Sequence, residues 1–198
     1  MNYPNRNKYN EFIFEDYPDF RPNLSPKEMF QLGSFGGTYW RPIYSSITNK
    51  KYKNIYKKYP DDWWDGLLTK KKNKLTLPWD KYDKKINNYG VQVGQTLEVW
   101  EKKEWISKYH PYGWVHWYCD FFIGIRGPDD ERQIKRWIGI ASKMGRFRKW
   151  LITLIINKNG RWNGIQISPK IRQTLQHWGY RLTKQDFENE INNRIINL

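Results

Sequence analysis

The segment 111–127, PYGWVHWYCDFFIGIRG, constrains the fold more than any other part of this chain. Its large apolar residues recur at intervals of three and four: Trp114, Trp117, Tyr118, Phe121, Phe122 and Ile125. That spacing is typical of one face of an α-helix. Each buried aromatic side chain removes roughly 150–250 Å² from water. We therefore predict that this segment forms a helix within an aromatic core.

The composition favours the same kind of core. The chain has 198 residues, of which only 38% are hydrophobic, but 18% are aromatic and 12 are Trp. A chain of this length buries roughly 70% of its unfolded surface when it folds. We therefore predict a core of Trp, Tyr and Phe, with residues 1–24 as an extended N-terminal arm and residues 25–198 as a single, compact, mostly helical domain.

Capping signals and apolar spacing indicate further helices. The segment 25–33, SPKEMFQLG, offers Ser25 as N-cap, Pro26 in the first turn, Glu28 for a capping box and Gly33 as a stop. Helical patterns also occur at 95–106, 129–145, 146–157, 168–179 and 183–198. The apolar stripe of 146–157 includes Trp150. The predicted fold is mostly α, with six to eight short helices and a loop-rich N-terminal half.

Strand signals are thin by comparison. The segments YGVQVGQ at 89–95 and RWNGIQI at 161–167 alternate apolar and polar residues. Either segment could be a short strand or an extended linker.

Cysteine and hydropathy patterns bear on location. The one cysteine, Cys119, cannot form an internal disulfide, which favours a reducing, intracellular setting. No run of 18 apolar residues is present, and the first residues lack the apolar region of a signal peptide. We expect a soluble intracellular protein.

The positive charge occurs in two blocks. The net charge is +15; residues 49–85 contribute 12 Lys against 5 Asp, and residues 129–198 contribute 14 bases against 6 acids. Such an excess favours nucleic acid as a partner, bound through its phosphates. An alternative source of the lysines is a coding bias, because Asn, Lys, Ile and Tyr, all abundant here, have AT-rich codons.

Arginines in and near the second block, together with Arg41 behind a glycine-rich segment, are the main phosphate-binding candidates, because guanidinium groups bind phosphate with two hydrogen bonds and stack on aromatic rings. The candidates are Arg41, Arg126, Arg132, Arg136, Arg146, Arg148 and Arg172, supported by lysine tracts at 50–58 and 70–74. The alternative is a solvated helical face with local Arg–Asp pairs. If the helices at 114–125 and 129–145 pack as a hairpin, Arg126 and Arg132 would flank its tip, where a phosphate could bind.

An alternative site combines a glycine-rich segment with the aromatic helix. The segment 32–42, LGSFGGTYWRP, could present Gly36 and Gly37 amides to an anion, and His116 and Asp120 could join them. The segment does not match a nucleotide-binding fingerprint, since it neither follows a strand nor opens a helix. Its other interpretation is a helix stop followed by a turn.

The sequence gives little support for a metal site or for catalysis by the cysteine or the acidic residues. His116 and Cys119 share a helix face, but the sequence supplies no further zinc ligands at a recognisable spacing. Cys119 lies among aromatic residues, where burial raises a thiol pKa and makes the thiol inert. The acids at 129–131 open a helix and are interpreted as caps. We therefore predict no metal and no cofactor.

Five segments resemble a family of functionally uncharacterised proteins from large DNA viruses, fungi, algae and bacteria. The segments are 25–43, 97–106, 111–127, 129–137 and 145–151, about a third of the chain. The resemblance implies no activity and carries over no catalytic residues. The Lys- and Asn-rich composition is similar to that of giant-virus proteins, which would place the protein in a host cell or a virion.

The sequence thus favours a basic nucleic-acid-binding protein without catalysis. One alternative is an enzyme that acts on nucleic acid or a phosphorylated small molecule, with a site near residues 33–41 and 116–136. Convergence of the 32–42 loop and the 116–132 turn on one concave pocket with a charged, buried cluster would favour the enzyme. A convex basic face with those loops far apart would favour binding. The other alternative is a structural or virion protein, which exposed Trp63, Trp64 or Trp79 would favour.

Overall fold

The structure is a computed structural model that describes residues 3–196. Within this range the chain is largely helical and contains little strand. It has seven α-helices: α1 Pro26–Gln31, α2 Leu97–Lys102, α3 Trp114–Phe122, α4 Asp130–Ala141, α5 Arg146–Asn157, α6 Pro169–His177 and α7 Lys184–Ile196. None of the described helices is long and apolar enough to cross a membrane.

Helix α1 begins as its capping signals predict. The backbone N–H of Glu28 donates to the Ser25 hydroxyl at 3.1 Å, and the Ser25 N–H donates to the Glu28 carboxylate at 2.7 Å. Two N–H groups that the first turn would leave without partners are thereby satisfied. The helix ends before Gly33, whose φ of 97° suits glycine.

Helix α3 is buried on every side, and the predicted aromatic core forms around it. All nine of its residues are buried. The N-terminal arm supplies Phe20, whose ring packs edge-on against Tyr118 and lies 5.5 Å from the ring centroid of Trp117. The indole N–H of Trp117 donates to Asp130 at the start of α4. Residues 3–24 of the arm form no helix and no strand longer than one bridge between residues 6 and 12, yet the Phe side chains of the arm belong to the core.

The structure contains two short antiparallel hairpins that the sequence did not predict. Strands β1 Ile43–Ser45 and β2 Lys50–Tyr52 form one, and β3 Leu68–Thr69 and β4 Lys72–Asn73 form the other. Their strands are two or three residues long and carry lysines, so no alternating pattern marks them. The segments 89–95 and 161–167, left open between strand and linker, contain no strand and are linkers.

Two residues of the predicted apolar stripes face solvent. Trp150 in α5 is 54% exposed and Ile125, beyond the end of α3, is 43% exposed. Helix α4 also ends at Ala141, earlier than the predicted stop at Gly145. Gly145 instead packs on the backbone of this helix end, where a Cβ atom would lie 2.4 Å from the Ile140 carbonyl carbon.

Candidate functional site

A concave cleft of about 590 Å³ opens between α4, α5 and α6 and the segments 93–106 and 112–115. Helix α4 turns its Ile134–Trp137–Ala141 face into the core, so the adjacent face lines the cleft. The aromatic residues of the cleft are Phe35, Tyr39, Trp100, Trp105, Tyr112, Trp114, Phe147 and Trp178. Its cationic residues are Lys135, Arg136 and Arg146. Within residues 3–196, no carboxylate side chain lines it.

Arg136 is the cation that the cleft holds most firmly. Its Nη1 donates to the Trp105 carbonyl at 3.1 Å and to the Gln133 side chain at 2.9 Å. The guanidinium carbon lies 5.3 Å from the Trp178 ring centroid. Burial, and then the positive charge of Arg132, lower the pKa of Arg136 to about 10. No described carboxylate forms an ion pair with this half-buried cation: neutral groups contact it directly, and the more distant charge of Asp129 only partly offsets the effect of burial.

Two further cations line the cleft and have no ion-pair partner among the described residues. Arg146 is one of the candidates from the sequence, and Lys135 is not. Lys135 and Arg146 are both exposed. Arg146 lies over the Phe147 ring, with its guanidinium carbon 5.4 Å from the ring centroid. The structure therefore brings together two of the arginines singled out in the sequence, Arg136 and Arg146.

Three other candidate arginines form ion pairs within the protein. Arg126 Nε lies 2.6 Å from Asp16, Arg132 Nε lies 2.6 Å from Asp129, and Arg148 Nη2 lies 2.6 Å from Asp186. Arg148 is also buried. The hairpin tip that Arg126 and Arg132 flank thus has both guanidinium groups already bound to carboxylates.

The remaining two candidates also contact backbone carbonyls. Arg172 is buried and donates to the carbonyls of Ile167 and Trp162, both at 2.9 Å. Arg41 donates to the Thr38 carbonyl at 3.1 Å and lines a separate hollow of about 560 Å³. Acidic residues at 98 and 101 line the same hollow.

The two lysine tracts lie on and beside the hairpins. Most of their lysines are exposed. Lys58 pairs with Asp120 at 2.7 Å. The other lysines form no ion pair among the described residues, so they remain accessible to phosphate.

The glycine-rich segment is packed against a neighbouring loop. The Gly36 N–H donates to the Asn87 side chain at 2.8 Å. A Cβ on Gly36 would lie 2.6 Å from the Tyr82 ring, and one on Gly37 would lie 2.8 Å from Ile86. Both glycines therefore allow close packing in a turn, as the second interpretation of this segment predicts.

A buried cluster around His110 was not anticipated. His110 Nε2 lies 3.6 Å from Asp120, and its Nδ1 lies 3.9 Å from Asp129. Burial alone lowers the pKa of His110, but the two carboxylates outweigh it and hold the pKa above its usual value. The hydroxyl of Tyr59 donates to Asp120 at 2.8 Å. Hydrogen bonds from these neighbours outweigh burial and hold the pKa of both carboxyls well below the usual range.

The interpretation of Asp129 as a helix cap is wrong in detail. Its side chain caps no backbone N–H of α4. Instead it accepts hydrogen bonds from the side chains of Ser107, Arg132 and Gln133. The contact with Arg132 is one of the local Arg–Asp pairs of the alternative interpretation, since the two residues are three apart. No local pattern signals the contacts with Ser107 and His110, because these come from a loop that precedes α3.

His116 and Cys119 lie in the interior. Burial, followed by the nearby charge of His110, lowers the pKa of His116 to about 3, so its ring is neutral. Burial raises the pKa of the Cys119 thiol well above its usual value, as predicted for an inert thiol. Among residues 3–196, no three His, Cys, Asp or Glu side chains are grouped so that they could hold a metal ion.

Comparison with known proteins gives no relative: no family model, no curated protein and no solved structure matches this chain.

Proposed function

We propose that this protein binds nucleic acid through its phosphates, with the cleft as the principal contact. The observation that carries the proposal is the composition of the cleft. Lys135, Arg136 and Arg146 line it together with aromatic rings, and no described carboxylate does. A phosphate group would supply the ion-pair partner that Arg136 does not have among the described residues.

The charge of the remaining surface supports the same partner. The net charge of +15 includes the exposed lysines at 50–58 and 70–74. These cations offer further contacts for phosphate groups. Arg126, Arg132, Arg148 and Arg172 are secondary under this proposal, because their guanidinium groups already bind carboxylates or carbonyls.

The test is a binding titration with a labelled oligonucleotide across salt concentrations. Each phosphate contact contributes roughly −0.7 to −0.9 to the slope of log K against log salt, so three cleft contacts predict a slope of about −2 to −3 or steeper. Arg146→Gln is expected to reduce the magnitude of the slope by about 1. The matched control is Arg161→Gln, which removes an exposed arginine that does not line the cleft.

The proposal fails if the wild-type protein does not bind at about 50 mM salt, or if its binding does not weaken by about 200 mM. Equal effects of Arg146→Gln and Arg161→Gln would place the contact outside the cleft.

A second candidate is an enzyme that acts on nucleic acid or a phosphorylated small molecule. One observation favours it: segments 33–41 and 116–136 do meet, since the His116 N–H donates to the Tyr39 hydroxyl at 2.9 Å and the Trp40 ring lies 5.6 Å from that of His116. Turnover of an oligonucleotide or a phosphate monoester that is lost in Asp120→Asn, with the fold retained by circular dichroism, would support it. Absence of turnover in the wild type would exclude these substrates.

The structural or virion alternative would be favoured by exposed Trp63, Trp64 or Trp79, and two of these three side chains are buried. Trp63 and Trp64 are buried at 2% and 6% exposure, and Trp79 is half-buried.

A further inference from the structure

The aromatic rings of the cleft keep part of their surface open. Trp105 is 38% exposed, and Trp100, Phe147 and Trp178 are half-buried. Aromatic rings that line a concave site and stay accessible are the usual platform on which an unpaired base stacks. A cleft of about 590 Å³ lies in the range that holds a ligand of nucleotide size.

The cation of the cleft lies next to these rings. The guanidinium carbon of Arg136 is 5.3 Å from the Trp178 ring centroid and 6.0 Å from that of Trp105. A base stacked on either ring would bring its own phosphate close to this group. The cleft therefore offers an aromatic ring and a guanidinium group side by side. A nucleotide offers the matching pair, a base and a phosphate group.

His177 adds a polar group to the wall of the cleft. Its Nε2 accepts a hydrogen bond from the Phe35 N–H at 3.1 Å. Burial lowers the pKa of His177 to about 3, so the ring is neutral and its one proton lies on Nδ1. This N–H has no hydrogen-bond partner among the described residues. It can therefore donate to a carbonyl or ring nitrogen at the edge of a base.

We propose that the cleft holds one unpaired nucleobase, stacked on Trp105 with its phosphate at Arg136, so that the protein prefers single-stranded nucleic acid to duplex. This inference rests on the proposed function and specifies its ligand. The physical reason is access: in a duplex both faces of each base are covered by neighbouring bases, and entry into a concave site requires unstacking.

The first experiment uses the wild-type protein and three probes of one length. They are a labelled single strand, the same strand annealed to its complement, and a strand that keeps the phosphodiester backbone but lacks bases. We expect the single strand to bind at least about tenfold more tightly than either other probe. Equal affinity for all three would leave phosphate binding in place and overturn the base site. Absence of binding to every probe would overturn the proposed function itself.

The second experiment replaces one ring. Trp105→Ala is expected to weaken single-strand binding about 5- to 150-fold, the effect of losing one base–aromatic stack, and to leave duplex binding unchanged. The matched control is Trp150→Ala, which removes a more exposed Trp, at 54%, that does not line the cleft. The base site is refuted if both variants retain wild-type single-strand affinity, or if Trp105→Ala weakens single-strand and duplex binding equally.

Discussion

The ion pair between Arg148 and Asp186 holds α7 against the rest of the protein. The two side chains are 7% and 12% exposed, and their charged atoms lie 2.6 Å apart. The Tyr180 hydroxyl also donates to Asp186 at 2.7 Å, and the Arg148 guanidinium lies over the Tyr180 ring. No residue of α7 is fully buried, and its apolar contact with the core includes the partly buried Phe187.

Removal of one partner leaves a charge in an environment that water reaches poorly. Loss of one member of a buried pair costs about 3–5 kcal/mol. We expect Arg148→Met to lie near the lower end, about 3 kcal/mol, because Asp186 keeps the Tyr180 hydrogen bond. With an m-value of about 2 kcal/mol/M in urea, the unfolding midpoint would fall by about 1.5 M.

A double-mutant cycle tests the ion pair directly. Urea unfolding of Arg148→Met, Asp186→Asn and the double variant should give a coupling energy of about 1–3 kcal/mol. Arg161→Met, at an exposed position, should change stability by no more than about 0.5 kcal/mol. Additive single effects, or a loss below about 1 kcal/mol for Arg148→Met, would refute the reasoning. The folded variant should also keep its affinity for nucleic acid, because the buried Arg148 is not a phosphate ligand under our proposal.

Three further outcomes follow from buried groups and close packing. The pKa of His110 is raised in the folded protein, so its charge stabilises the fold below about pH 6.5, and this contribution is lost as pH rises through the folded pKa. Urea unfolding should therefore show that His110→Gln loses more stability at about pH 6 than at about pH 9. An equal loss at both pH values would contradict this prediction. Cys119 should react with a thiol reagent only after denaturation, and rapid labelling of the native protein would show that its burial is wrong. Gly145→Ala should lower stability by about 1–3 kcal/mol, since its Cβ would meet the backbone at 2.4 Å, whereas Gly127→Ala, which meets nothing within 4 Å, serves as the control.

Local patterns were enough to place the helices. The stripe from Trp114 to Phe122 repeats every three to four residues, and a segment with that spacing buries its rings only as a helix. The capping box of Ser25 and Glu28 needs residues three apart and nothing else, so the start of α1 could be predicted to the residue. These signals act within a few residues of one another, and the sequence records them directly.

The cleft could be predicted only in part. Arg136 and Arg146 are both candidate phosphate ligands by sequence, but nothing distinguishes them there from Arg126 or Arg148, which pair with carboxylates far away in the chain. Only Arg132 has a local partner, Asp129, three residues before it. Asp16 is 110 residues from Arg126 along the chain, and no spacing rule relates them. Whether a guanidinium group is free or paired depends on which distant carboxylate the fold brings to it.

The sequence by itself determined the type of the main elements, the aromatic character of the core and the excess of positive charge, because periodicity, capping and composition are local or additive. Only the tertiary structure decided which charges remain available. It placed His110 between Asp120 and Asp129, covered Cys119, and left Arg136 beside Trp105 and Trp178 with no ion pair among residues 3–196. Those outcomes depend on contacts between residues far apart in the chain, whose energies arise from burial and distance in three dimensions.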